Sequence, residues 1–119
     1  MFQERLQNIC DSIDGALAVS LVDADGITVE TFGDGSSLDL EALGAELLAQ
    51  TQAISRDHRE LAMGEVRQLS VTTELYTVLV SALTGNYSLL LVLEEKGGSY
   101  GKARFELRRA KLALEGDLA

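Results

Sequence analysis

The chain has 119 residues, 46% of them apolar and 24% charged, with one cysteine, one histidine and no proline. That length suits one domain, read here as 1–119, able to bury roughly two thirds of its unfolded surface. A formal net charge of −9 argues against nucleic acid and anionic membrane surfaces as partners, and a lone cysteine excludes an internal disulfide.

Cys10 and His58 are also too few soft ligands for a zinc site, and no cofactor is expected. No apolar run reaches the roughly 18 residues that span a bilayer. The opening MFQERLQNIC lacks the basic-then-apolar layout of a signal peptide, so a cytoplasmic chain without membrane insertion is expected. Charge is unevenly spread: residues 1–101 carry 5 basic and 16 acidic side chains, whereas 102–119 carry 5 basic and 3 acidic. The last segment is the one positive feature.

Phe2, Leu6, Ile9 and Ile13 recur at i, i+4, i+7 and i+11, one stripe of an amphipathic helix that Asp14-Gly15 stops. The next run, ALAVSLVD, is apolar on both alternating sets, with Leu17, Val19 and Leu21 on one and Ala18 and Val22 on the other. A strand covered on both faces reads this way. ITVETF then alternates Ile27 and Val29 with Thr28 and Glu30, as a half-exposed strand does. Between them, Asp23-Ala24-Asp25-Gly26 suits a hairpin, in which Gly26 supplies a positive φ and the aspartates bond nearby amides.

After the loop GDGSS, Asp39 is placed to cap a long helix through Leu61. EVRQLSVTT, LYTVLVSAL and YSLLLVLEE follow as three strands, the first polar on alternate positions and the other two nearly continuous in apolar residues. Thr84-Gly85-Asn86-Tyr87 turns between the last two. After KGGS, a final helix sets Ala103, Leu107, Ala110 and Leu114 on one stripe. Phe105 and Leu112 fall opposite it, near Arg104, Arg108, Arg109 and Lys111.

The order is therefore α-β-β-α-β-β-β-α. Strands 1, 4 and 5 are apolar on both faces and belong in the middle, while strands 2 and 3 are polar enough for edges. Short connections join antiparallel neighbours. The predicted fold is a mixed α/β (α+β) five-stranded antiparallel sheet of order 2-1-5-4-3, with helices on both faces.

Asp-x-Asp-Gly after an apolar run also resembles the signature of haloacid-dehalogenase-type phosphatases. Those need a helical crossover to a parallel strand, whereas here the next strand follows at once as a hairpin partner. A calcium loop needs a glutamate at its twelfth position, which counted from Asp23 is Asp34. The stretch reads as a turn, and no catalytic constellation is found elsewhere. The protein is not expected to be an enzyme.

Residues 39–61, turned at about 100° per residue, give two stripes. Leu40, Leu43, Leu47, Ile54 and Leu61 suit packing on a sheet. Nearly opposite lie Ala42, Ala45, Ala49 and Ala53, where a solvated helix carries Glu, Lys or Gln. Small side chains let two helices approach, so this stripe is a candidate homodimer seam. Strand 3, with Arg67 and Leu69, is an edge without proline that can pair with its own copy.

GALAVSLVDADGITVETFG and NYSLLLVLEEKGGSYGKARFELRRA resemble the roadblock/dynein light-chain domain family, in particular its bacterial MglB-like members. Gly15, Asp25, Gly26, Gly101 and Arg104 are the matching positions, and the likeness covers nearly the whole chain. The resemblance implies a homodimer whose long helices meet and whose third strands pair. It implies a small Ras-like GTPase as partner, with this chain as activator or scaffold, and Arg56 and Arg59 near a switch region of that partner. The competing expectation is a ligand-sensing α/β signalling domain with a roomy apolar cavity beside the sheet.

Overall fold

The computed structural model describes residues 2–34, 38–56, 62–94 and 100–118. Its elements run α1 (Gln3–Ser12), β1 (Ala16–Val22), β2 (Thr28–Gly33), α2 (Leu40–Arg56), β3 (Gln68–Thr72), β4 (Tyr76–Ala82), a 3-10 turn (Thr84–Asn86), β5 (Ser88–Glu94) and α3 (Tyr100–Leu118). The five strands form one sheet in the order β2-β1-β5-β4-β3, antiparallel throughout. This is the expected topology. Strands rich in apolar residues on both alternating sets took the centre because only there are both faces covered.

The two faces divide the core. Leu6, Ile9 and Ile13 from the α1 segment and Leu107 and Leu114 from α3 pack with Val19, Leu21, Leu79, Leu89, Leu91 and Leu93. On the other face Leu47 and Leu48 of α2 pack with Val22, Val78, Val80, Leu90 and Val92. Each fully buried leucine stabilises the fold by roughly 1.5–3 kcal/mol. A surface pair, Arg5 to Asp117 at 2.9 Å, ties α1 to the end of α3.

Two bulges correct the simple alternation read from the sequence. The register of β1 against β5 slips between Ala16 and Ala18, so Leu17 packs on the α2 side while Val19 and Leu21 lie on the α1 side. An inserted residue resets which face every neighbour meets. The β1–β2 register slips again at Leu21/Val22, with Glu30 opposite Leu21 and Thr28 opposite Val22, leaving Val29 between them. Ile27 and Val29 are consequently 62% and 44% exposed, while Thr28 Oγ1 and Glu30 Oε2 are buried without a hydrogen-bond partner. Gly33 sits where β2 crosses the first bulge, at φ +100, and a Cβ there would lie 2.3 Å from the Leu17 carbonyl oxygen. Only glycine fits.

Asp23-Ala24-Asp25-Gly26 is a turn. Asp23 Oδ1 accepts from the Asp25 amide at 2.9 Å and the Ile27 amide at 3.0 Å, and Gly26 takes φ +83. That carboxylate is committed to holding the backbone. Strand β3 begins at Gln68, later than expected, although the Arg67 carbonyl still accepts from the Ala82 amide at 2.8 Å.

Candidate functional site

The long helix begins as its sequence demands. Asp39 Oδ1 accepts from the Ala42 amide at 3.1 Å, the geometry of a helix N-cap. The face turned to the sheet is centred on Gly44, Leu47, Leu48 and Thr51, all buried. The expected leucine stripe is therefore rotated: Leu40, Leu43 and Ile54 are only half buried, while Leu61 lies outside the described residues. The cause is Gly44, whose missing side chain lets α2 settle close to Val22 and Leu90. A Cβ there would stand 3.4 Å from Val22 Cγ2 and 3.7 Å from Leu90 Cδ2. Thr51 stays inside because its hydroxyl donates to the Leu47 carbonyl at 2.9 Å.

On the outer face, Ala42, Ala45 and Ala49 are exposed and Ala53 is half buried. They share one side of the helix, with Ala45 at its rim. Ala45 flanks the β1–β2 turn, where an ideal Cβ on Gly26 would come within 3.3 Å of the Ala45 Cα. Gln52 clamps the same flank by donating to the Ala24 carbonyl at 2.9 Å. Helical spacing leaves Ala42, Ala49 and Ala53 together with Glu46 on the side away from the sheet. Glu46 in turn accepts from the Gln50 side chain at 3.1 Å, one turn along.

Among the described residues strand β3 lies at the sheet edge and pairs with β4 alone. Leu69 stands opposite Val80 and Val71 opposite Val78, so both share the face that α2 covers. Leu69 is half buried, Val71 is exposed, and Arg67 is exposed just before the strand. The open helix face, the outer edge of β3 and Val71 thus belong to one side of the molecule. Arg56 is the last residue of α2; its side chain, and the whole of His58 and Arg59, lie outside the described residues.

Other titratable groups have local tasks. Cys10 is half buried, with its thiol 3.7 Å from the Ala16 carbonyl. Burial, and secondarily the Asp11 carboxylate, push that thiol above its ordinary pKa, so it stays protonated and weakly nucleophilic. Among the described residues no group of His, Cys, Asp and Glu is arranged to hold a metal ion, and no helix is long and apolar enough to cross a membrane.

A single long helix on one face of a 2-1-5-4-3 antiparallel sheet, with both terminal helices on the other, defines a roadblock/profilin-like fold. The chain is similar to Myxococcus xanthus MglB, at 14% identity and a TM-score of 0.86 over 98% of this chain and 94% of that one. It is similar to the roadblock/LC7 domain from Streptomyces avermitilis, at 13% identity and a TM-score of 0.85 over 98% and 96%. MglC from Myxococcus xanthus is 30% identical at a TM-score of 0.71, with 98% of both chains covered. The chain belongs to the roadblock domain family, and its fold is MglB-like. No family model and no curated protein sequence matches it.

Two features of the site escaped sequence reasoning. Gly44 entered neither stripe read from the sequence, yet it sits where α2 comes closest to Val22 and Leu90. The close approach of Ala45 to the β1–β2 turn depends on Gly26, which is remote in sequence.

Proposed function

We propose that the protein is a non-catalytic homodimer that regulates or scaffolds a small Ras-like GTPase, as an activator or an anchoring subunit. The observation that carries this reading is the juxtaposition on one side of the sheet of two self-complementary features. One is the open face of α2 at Ala42, Ala49 and Ala53; the other is the outer edge of β3 beside Leu69 and Val71, a strand that among the described residues takes β4 as its ladder partner. A twofold axis meets both demands at once: the small side chains let two helices approach, and two β3 edges continue one sheet across both copies. Ala45 and Arg67 then border the seam. The GTPase belongs to this reading through family membership, and the paired helices supply its platform. Arg56 and Arg59, at and beyond the end of α2, are the candidate partner contacts.

The test is direct. Small GTPases encoded near this chain, loaded with GDP or a non-hydrolysable GTP analogue, are mixed with it and binding is measured by calorimetry. Single-turnover GTP hydrolysis is followed in parallel. Binding that prefers one nucleotide state is expected, with faster hydrolysis if the protein is an activator. Neither binding nor a change in rate would refute the proposal.

The sensing alternative calls for a roomy apolar cavity beside the sheet. The cleft between α1 and α3, lined by Arg5, Asn8, Ile9, Glu106, Arg109 and Leu114 among others, has a volume of 170 Å³ and a mixed polar wall. An adjoining hollow of 350 Å³ is lined by the polar side chains Glu4, Arg5, Asn8 and Asp117, so neither is the roomy apolar cavity that this alternative calls for.

A further inference from the structure

On the face of the sheet away from α2, a groove of 270 Å³ runs between α3 and the β3–β4 edge. Arg104, Arg108 and Lys111 follow one another at i, i+4 and i+7 and therefore line one side of α3. Arg67 supplies a fourth cation from the opposite wall, its backbone fixed by the bond from the Ala82 amide. Leu107 forms an apolar floor, and Gln68 and Ser81 offer hydrogen bonds beside it. A second hollow, of 290 Å³, shares Arg104 and Arg108 and continues to Phe105, which is 60% exposed.

Among the described residues no aspartate or glutamate lines either hollow. The acids of the same helix are engaged elsewhere. Glu115 accepts from the Thr84 hydroxyl at the β4–β5 turn, and Glu106 pairs with Arg109 at 3.4 Å on the α1 side. In a chain of net charge −9, this groove gathers four of its ten basic residues.

We propose that the groove docks an extended acidic segment of a partner protein. Carboxylates at alternate positions pair with Arg67, Arg104, Arg108 and Lys111, and an apolar side chain rests on Phe105. Dimensions and charge select this occupant. From Arg104 to Lys111 the helix rises about 10 Å, the span of about three residues of extended chain, whose alternate side chains point the same way. A long polyanion or a charged bilayer extends beyond the groove and meets the repulsion of a chain of net charge −9. The groove lies on the opposite side of the sheet from the open α2 face; Arg67 is the one member it shares with the proposed β3 seam, whereas Arg104, Arg108 and Lys111 on α3 lie outside that seam.

The probe is a fluorescein-labelled peptide that alternates glutamate with threonine and ends in leucine, titrated with the intact chain and read by fluorescence anisotropy. Saturable binding is expected, weakening as salt rises and the Debye length falls below about 10 Å. Roughly tenfold weaker binding is expected for Arg104→Glu/Arg108→Glu, and separately for Arg67→Glu, with an unchanged circular dichroism spectrum and melting midpoint. Arg109→Glu, on the α1 side, should bind as the wild type does. The proposal is overturned if no saturable binding occurs at low salt. It also falls if Arg109→Glu weakens binding as much as the groove variants, or if phosphatidylserine vesicles bind with the same dependence on Arg104 and Arg108.

Discussion

Leu79 and Val80 are neighbours in β4, yet they look out on different worlds. Leu79 enters a core closed by α1 and α3 together, whereas Val80 meets a face covered by α2 alone. Leu21, Leu89 and Leu91 around Leu79 are fully enclosed, and around Val80 the two leucines of α2 keep 7–8% of their surface exposed. Toward β3 the second face runs out into half-buried Leu69 and exposed Val71. One face of the sheet is finished by its own chain. The other is finished only in part, and that is the side offered to a second molecule.

This contrast can be broken by substitution. Leu21→Ala, in the enclosed face, should cost about 4 kcal/mol, while Leu48→Ala, under α2, should cost closer to 2 kcal/mol because its site is more open and collapses more easily. Urea unfolding measures both, and equal costs would erase the distinction between the faces. Gly33→Ala should cost about 3 kcal/mol, since a Cβ meets the Leu17 carbonyl and φ +100 is strained for any L side chain. Its melting midpoint should fall accordingly.

Asp39→Ala tests the anchoring of α2 itself. Losing the bond to the Ala42 amide should destabilise by about 1 kcal/mol, read from the same unfolding curves. Ala49→Glu should alter the stability of the single chain by no more than about 0.5 kcal/mol, as a surface change does. In the proposed dimer, however, it places a charge in a tight seam, and light scattering should then report monomer. An unchanged mass would remove the helix seam.

The smallest effect concerns Cys10. A pKa raised in the folded state means that the fold favours the protonated thiol. That contribution is fully present below the unfolded thiol's pKa and is lost as pH rises through the raised folded value. Stability should therefore decline slightly on the alkaline side, and the decline should vanish in Cys10→Ala. Iodoacetamide should modify Cys10 more slowly than free glutathione at mildly alkaline pH.

Much of the architecture was legible in the sequence because hydrophobic pattern and connection length together leave few ways to order five strands. The same reading placed Phe105 and Leu112 opposite the core stripe of α3, and they are 60% and 72% exposed. It failed where one residue was inserted. Leu17 was grouped with Val19 and Leu21 by strict alternation, but the bulge beside Gly33 sends it to the other face. Along α2 the leucine stripe gave the correct element and an inexact rotation, because a glycine's effect on helix–sheet distance depends on what lies beneath it. Ala103 on α3, also expected in the core stripe, has its side chain outside the described residues.

The sequence by itself determined which segments are helix or strand, which strands lie inside the sheet, and that Asp23-Ala24-Asp25-Gly26 is a turn. Periodicity, turn chemistry and capping are local, and a single chain carries them without reference to distant neighbours. Only the tertiary structure decided the phase of α2, the close approach of Ala45 to the Gly26 turn, and the meeting of Arg67 with Arg104, Arg108 and Lys111 across one groove. Those arrangements depend on bulges and close backbone approaches between residues far apart in the chain, and no local pattern encodes such distances.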